Sequence, residues 1–506
     1  MTPGATVATD VPERVVPLEL TPTEFRRLGH GLVDQISDFL ESLRQRPLTS
    51  GETPAEIRAL LGRAPLPERG TAAGTLLPDT ARLLFEHSLF NGHPRFMGYI
   101  TSSAAPLGML ADLLAAAVNP NVGGWELSPM ASEIEAQTVR WVAELVGYPS
   151  DCGGLLVSGG NMANFVCFLA GRRAMLGEAA RTTGLGVTPP LRVYASAGTH
   201  TWIQKAADLF GLGTDAIRWI PTDSAQRLRA DVLRECIRED LARGDRPIMV
   251  VGTAGSVATG AVDPIRELAE ICQAHGLWLH IDGAYGAPAA VLPDAPEDLR
   301  ALSLADSLAV DPHKWLYAPL EAGCVLVREP RRLTEAFGYT PSYYHFDTEG
   351  DEPPINYYEL GLQNSRGFRA LKVWLGLRQA GRAGYVQMIG DDCRLAASLH
   401  RHVAAHPELE AATLGLSIAT FRYVPRDLRG AGAAESYLNA LNETLLARLK
   451  TRGELFVTNA VLDGRFLLRA CIVNFRTTEA DVAAIPGVVA AAGRAVDAEL
   501  RPGRND

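Results

Sequence analysis

Apolar side chains recur at helical spacing from Thr21 to about Leu43 (Phe25, Leu28, Leu32, Ile36, Phe39, Leu43), with Thr21 or Thr23 placed to cap the helix. Residues 63–80 are rich in Pro and Gly and interrupt the pattern. It returns over Ala81–Phe90, over Leu107–Ala117 and, after the punctuation at Ser128-Pro129, over Ser132–Val146. No set of strands accompanies these helices, so the opening stretch reads as helices laid against something else. From about Leu155 to Val327 the texture changes to short β-rich runs: Gly154–Ser158, Leu191–Ser196, Pro247–Thr253, Leu277–Asp282, Ser307–Asp311 and Gly323–Glu329. Helical segments fall between several of them, notably Met162–Met175, Trp202–Phe210 and Pro264–His275. Such alternation requires crossover connections and predicts an α/β fold with a mostly parallel central sheet covered on both faces. After Pro330, Phe337–Pro354 is rich in aromatics, acids and Pro, and Phe368 to about His402 reads as long helices. The C-terminal remainder mixes strands (Ser417–Val424, Ala470–Thr477) with helices, as in a small α+β domain.

Composition narrows the class. At 506 residues, 47% hydrophobic and 21% charged, the chain has a globular make-up, of roughly two to four domains. A net charge of −10 leaves no electrostatic footprint for bulk nucleic-acid binding. No apolar run reaches the roughly 20 residues a membrane helix needs; Asp112 breaks the best candidate, and the first residues lack an apolar signal core. The seven cysteines form no Cys-x-x-Cys pair, which suits a reducing compartment, so a cytoplasmic protein is expected.

One compositional detail points to chemistry. Of 48 basic residues only four are lysines: Lys205, Lys314, Lys372 and Lys450. Lys314 follows a strand, lies between His313 and Trp315, and is not on an amphipathic helix. Arg cannot form a Schiff base with an aldehyde; a deprotonated Lys can. Ligands of open α/β sheets bind outside the carboxyl ends of the strands, so the residues at those ends are the candidates. Ser158-Gly159-Gly160-Asn161 precedes a helix and offers small residues where backbone N–H groups meet an anion, although alone it is equally a plain tight turn. Gly198-Thr199-His200-Thr201 opens the next helix, Thr253 ends one strand, and Asp282 ends another before Gly283-Ala284-Tyr285. An acid at the tip of an apolar strand needs a partner. Together these form an anion cradle, a ring-sized His, a carboxylate and an apolar-set Lys at one sheet edge. They are the parts of a pyridoxal phosphate (PLP) site. His400, His402 and His406, the alternative metal-hydrolase reading, sit on a polar helical stretch without supporting carboxylates, so no metal is expected.

The run Asp311-Pro312-His313-Lys314-Trp315, with His280-Ile281-Asp282-Gly283-Ala284-Tyr285 upstream, resembles the PLP-dependent group II amino-acid decarboxylases, which include aromatic-L-amino-acid, histidine and glutamate decarboxylases. The resemblance extends in family order through His93-Pro94-Arg95-Phe96, Ser128-Pro129 with Glu133 and Glu135, Gly159-Gly160, His200 and Arg366-Gly367-Phe368-Arg369, covering roughly residues 20–400. It implies fold type I, the aspartate-aminotransferase-like PLP fold. It implies an N-terminal helical segment (1–105) packed on a partner subunit, a large PLP-binding domain (106–390) with a mobile catalytic loop near 337–354, and a small α+β domain (391–506). It implies a homodimer with the active site at the interface.

Residue by residue, the resemblance implies Lys314 as the Schiff-base lysine, Asp282 as the pyridine-nitrogen partner and His200 as the stacking ring. Thr253 and Ala284 would lie against the ring, and Gly160, Asn161 and His313 around the phosphate, with Asn364 and Ser365 reaching in from the second subunit. Tyr343 would return a proton to the substrate carbon after CO2 leaves, and a tyrosine there favours amine over aldehyde. Trp315 is similar to the aromatic and histidine branch. The substrate pocket would include Tyr99, Ile100, Thr101 and Gly123; relatives carry Phe-Pro-Thr after the tyrosine and a bulky Phe before Trp125, so a roomier or differently shaped pocket is expected. Asn161 stands where Ser or Thr is usual, and Asp311 where several relatives have Asn. The implied reaction is decarboxylation of an L-amino acid, aromatic first, to its amine. Oxidative deamination to an aldehyde, a non-aromatic substrate and an aminotransferase on the same fold are the alternatives, and a non-catalytic scaffold is the reading outside enzymes.

Overall fold

The computed structural model describes residues 14–186, 189–339, 354–430 and 435–501. The chain divides into two compact units, one of Met1–Phe90 with Thr451–Gly453, the other of the remaining residues.

The smaller unit is helical. Thr21 caps the helix Pro22–Ser42 through a reciprocal pair, its hydroxyl accepting from the Glu24 N–H and the Glu24 carboxylate accepting from the Thr21 N–H. Phe39 stacks on Phe85 at 4.7 Å between ring centres and meets Phe90 edge-on at 5.2 Å. The helix carrying Phe85, Ala73–His87, starts well before the expected Ala81 and runs through Pro78. That proline has no N–H to donate to the Gly74 carbonyl, which its ring also crowds.

In the larger unit seven strands form the main sheet: β1 (Gly153–Val157), β2 (Leu191–Ser196), β3 (Ile217–Ile220), β4 (Arg246–Thr253), β5 (Trp278–Asp282), β6 (Ser307–Val310) and β7 (Gly323–Val327). Their order is β1-β7-β6-β5-β4-β2-β3. β7 runs antiparallel to both neighbours, and the other pairings are parallel. Alternate residues face opposite layers: Leu155, Val157 and Val251 pack with Val166 and Phe168 of the helix Gly160–Leu176, whereas Leu156 and Val250 pack with Leu233 and Leu268 on the other face. The six expected strands are present. β3 was not expected; it is a four-residue edge strand with Trp219 half exposed, so it shows no apolar run.

Four more strands, β8 (Leu409–Gly415), β9 (Ile418–Tyr423), β10 (Thr458–Leu462) and β11 (Arg465–Cys471), form an antiparallel sheet ordered β10-β11-β9-β8. The strand expected at Ala470–Thr477 is corrected to β11, which ends at Cys471. Asp463 and Gly464, at φ +50° and +77°, turn a tight β10–β11 hairpin and set that register. The helix Ala370–Ala405, interrupted at Gly381 (φ +62°), packs on this sheet, and so does the helix Glu479–Leu500.

Candidate active site

Parallel register brings the strand ends to one edge. Thr253 pairs with Asp282 across β4 and β5, and Asp282 with Ala309 across β5 and β6, two residues before Asp311. The nearby end of β1 is held by a buried ion pair. The Glu135 carboxylate accepts from the Leu156 N–H at 2.8 Å and binds Arg366, whose guanidinium also donates to the Leu156 carbonyl at 2.6 Å. β1 then turns through Gly159 (φ +117°) into the helix that starts at Gly160. A Cβ at Gly160 would stand 2.5 Å from Asp311 Oδ2, and one at Gly159 3.3 Å from the His313 ring. Both positions therefore need glycine.

Lys314 Nζ lies 2.9 Å from Asp311 Oδ2. Burial works against its charge, but the Asp311 and Asp282 carboxylates and the Asp311 hydrogen bond outweigh it and hold the ammonium above its usual pKa. Asp311 is itself buried, and its Oδ1 has no hydrogen-bond partner among the described residues. Asp282 Oδ2 accepts from Trp202 Nε1 at 2.8 Å and Oδ1 from the Ala284 N–H at 3.1 Å. His200 opens the turn before the helix Trp202–Leu209, and its Nδ1 accepts from the Trp202 N–H at 3.3 Å. Burial lowers the His200 pKa, against the pull of Asp282. The Thr253 N–H donates to Asp263, which also takes the Leu228 N–H, and burial pushes that acid up to about 6. The Thr253 hydroxyl is buried without a hydrogen-bond partner among the described residues. His313 Nδ1 meets the Ala322 backbone at 2.7 Å, its pKa lowered chiefly by burial, while its carbonyl accepts from Ser102. Trp315 Nε1 and the Tyr317 hydroxyl both donate to Asp392, at 2.9 and 2.8 Å, and burial pushes that carboxyl up to about 7. Trp315 also stacks on Tyr285 at 4.9 Å.

A cavity of about 370 Å³ gathers Gly160, Asn161, His200, Thr253 and Asp282, together with Ala284, His313 and Lys314. The expected residues not among its lining fall elsewhere within the single chain. Asn364 lines a separate cavity, of about 540 Å³, and Ser365 follows it in the chain. Gly123 packs directly on the Asn364 carbonyl, so that glycine has a backbone reason apart from pocket shape. Tyr99 is half exposed in a left-handed conformation, Ile100 is buried in the main core and Thr101 is half-buried. Tyr343 and nearly all of the expected loop lie outside the described residues. His402 pairs with Glu479, and among the described residues no three His, Cys, Asp or Glu side chains cluster as metal ligands.

Sequence reasoning missed Trp202, Asp263 and Asp392. Asp392 was detectable: it follows Ile389 by three residues and precedes Ala396 and Leu399 on one helical stripe, all buried. A carboxyl on an apolar stripe requires buried donors.

The residues present fit PLP. The glycine-lined helix start suits a phosphate, the unpartnered Thr253 hydroxyl awaits an acceptor or donor, and the Lys314 amine and Asp282 carboxylate share one cavity. Residues 54–424 match the family model described as the pyridoxal-dependent decarboxylase conserved domain. The aromatic-L-amino-acid decarboxylase of Bacillus atrophaeus is 33% identical over 462 residues, 91% of this chain and 94% of that one. A phenylacetaldehyde synthase of Petunia hybrida is 29% identical, over 90% of this chain and 91% of that one. A crystal structure of Oryza sativa TDC with PLP and tryptamine superposes with a TM-score of 0.87 at 26% identity, covering 95% of this chain and 99% of that one. With a strand-end lysine, a strand-end acid and a glycine cradle in one cavity, and with this coverage, the chain belongs to the pyridoxal-dependent decarboxylase family and is a PLP-dependent amino-acid decarboxylase.

Proposed function

We propose that this enzyme removes CO2 from an aromatic L-amino acid and releases the amine. The observation that carries the reading is Lys314, 2.9 Å from Asp311 in a cavity shared with Asp282 and His200. Bound PLP supplies an aldehyde for the substrate amine and an electron sink for the bond to the carboxylate. Lys314 would hold the cofactor covalently and release it to the substrate. Asp282 would face the pyridine nitrogen and keep it protonated, and His200 would stack on the ring with Thr253 and Ala284 beside it. Gly160, Asn161 and His313 would surround the phosphate. Tyr343 returns a proton to the substrate Cα. Its tyrosine hydroxyl supports amine release, and the 33% identity to an aromatic-L-amino-acid decarboxylase supports the substrate class.

The reading includes a homodimer in which Asn364 and Ser365, with the pocket residues Tyr99, Ile100, Thr101 and Gly123, complete the partner's site. Two features support it: Asn364 lines a cavity other than that of Lys314 in its own chain, and the helix Pro106–Val118 exposes Leu110, Leu113, Leu114 and Val118 along one side. The 1–105 segment would pack on the partner. Seven unpaired cysteines support a cytoplasmic location.

The test is a product assay on PLP-loaded enzyme with aromatic, acidic and basic L-amino acids and no keto acid, following CO2 and product mass. An amine from Phe, Tyr or Trp is expected. An amine from other substrates alone overturns the aromatic assignment. Aldehyde with peroxide favours the second reading, for which the phenylacetaldehyde synthase relative is the support. Turnover only with a keto acid would mean transamination.

A further inference from the structure

Asp282 carries hydrogen bonds on both oxygens before any cofactor is considered. Oδ1 accepts from the Ala284 N–H at 3.1 Å and Oδ2 from the Trp202 indole at 2.8 Å. A carboxylate has about four lone-pair sites, so one is used on each oxygen, and the carboxylate plane is fixed. The indole has no freedom to leave. Trp202 is fully buried and meets His280 edge-on at 5.4 Å and Phe168 at 6.3 Å. His280 is locked in turn, with Nε2 on Asn164 at 2.8 Å and Nδ1 on Ser307 at 3.0 Å, and burial lowers it to about 4. Uncharged, it donates through one nitrogen and accepts through the other. The same Trp202 donates its backbone N–H to His200 Nδ1, at 3.3 Å. A nitrogen that accepts carries no proton, so the neutral His200 ring keeps its proton on Nε2.

One residue thus reaches both side chains that the proposed function sets against the cofactor ring, the stacking imidazole by its backbone and the nitrogen partner by its indole. Filling the core there requires only an aromatic ring; the N–H is an addition that Phe would lack. We propose that Trp202 is a positioning residue that acts on PLP through Asp282, holding the carboxylate in the orientation that receives the pyridine nitrogen. The inference rests on the proposed role of Asp282.

A double-mutant cycle tests it, reading the PLP dissociation constant by equilibrium dialysis for wild type, Trp202→Phe, Asp282→Ala and the double variant. A hydrogen bond to a charged group is worth enough to predict about tenfold weaker PLP binding in Trp202→Phe. In the Asp282→Ala background the same change is expected to alter binding by less than about twofold, because nothing is left for the indole to orient. Wild-type affinity in Trp202→Phe overturns the proposal, and so does an equal loss in both backgrounds, which is the mark of a purely structural tryptophan. If Asp282→Ala binds PLP as tightly as wild type, the role of Asp282 itself fails. That outcome is distinct from a failure of Trp202 alone. Should Trp202→Phe not fold, the cycle is repeated with benzothienyl-alanine at 202, which keeps the indole shape without its N–H. The same dependence on Asp282 is expected, and independence overturns the proposal.

Discussion

Replacing Asp311 by Asn is expected to make Lys314 a faster captor of PLP near neutral pH. In the wild-type protein the amine is held as an ammonium by a carboxylate 2.9 Å away, although burial opposes the charge. Coulomb's law at an effective dielectric near 20 gives about 6 kcal/mol for such a pair. If only a quarter of that reaches the titration, it equals about 1.4 kcal/mol, or one pKa unit and tenfold more neutral amine. Asn is isosteric, and its amide can reach the space around the Asp311 Oδ1 that has no partner. The perturbation is therefore electrostatic more than steric. The sign follows from the direction of the shift. A raised lysine pKa means that the pair stabilises the apo fold below the lysine's ordinary value, and that this contribution fades as pH rises through the folded value. With Asp311 gone, burial is opposed chiefly by Asp282, and the lysine loses its proton at lower pH. The assay mixes apo enzyme with PLP in a stopped-flow spectrophotometer from pH 6 to 9 and follows the absorbance of the lysine-bound cofactor. Expected is a rate about tenfold higher across this pH range, which lies below the lysine's raised pKa. Superimposable curves would refute the reasoning, since they would mean that the Asp311 contact does not govern the lysine's proton.

Three further outcomes are expected. Lys314→Ala should abolish covalent attachment of PLP, seen as loss of the cofactor mass adduct after borohydride reduction; a retained adduct would sink the site. Tyr343→Phe should turn the product from amine towards aldehyde with peroxide, measured by mass and by a peroxidase-coupled assay, and undiminished amine production would rule out its role. Asp392 is an acid whose folded pKa is raised to about 7, so it destabilises the fold progressively as pH climbs from about 4 to 7, by roughly 4 kcal/mol at the upper end. Asp392→Asn cannot ionise, and its melting temperature should fall less than wild type between pH 5 and 8; parallel melting profiles would contradict that account.

The strands that were legible are those buried on both faces. β4 is buried at every residue after Arg246 and reads as an unbroken apolar run, as a central parallel strand must. The strands that escaped sit at edges. β8 is mostly half-buried, and β10 turns Thr458 and Ala460 inward while Val461 is exposed, so apolar letters no longer mark the inner face. The better signal for β10 and β11 was the Asp463-Gly464 turn between them.

The site divides along the same line. Lys314, Asp282 and Thr253 were legible because the C-terminal edge of a parallel sheet is where strand ends meet, and strand ends can be read from periodicity. Their supports were not, because each comes from an element whose own pattern is satisfied without reference to the site. Trp202 reads as an ordinary apolar residue opening a helix, and nothing in its neighbours announces a carboxylate 80 positions later. Asp392 is the exception that shows what information was present: a charged letter on a buried helical stripe demands donors, even though the sequence does not say which. Trp315 and Tyr317, just after the lysine and on either side of Leu316, supply them. The lysine segment is therefore tied to the long helix by a carboxyl that burial holds near the edge of ionisation, and the position of Lys314 depends on a group far from it in sequence.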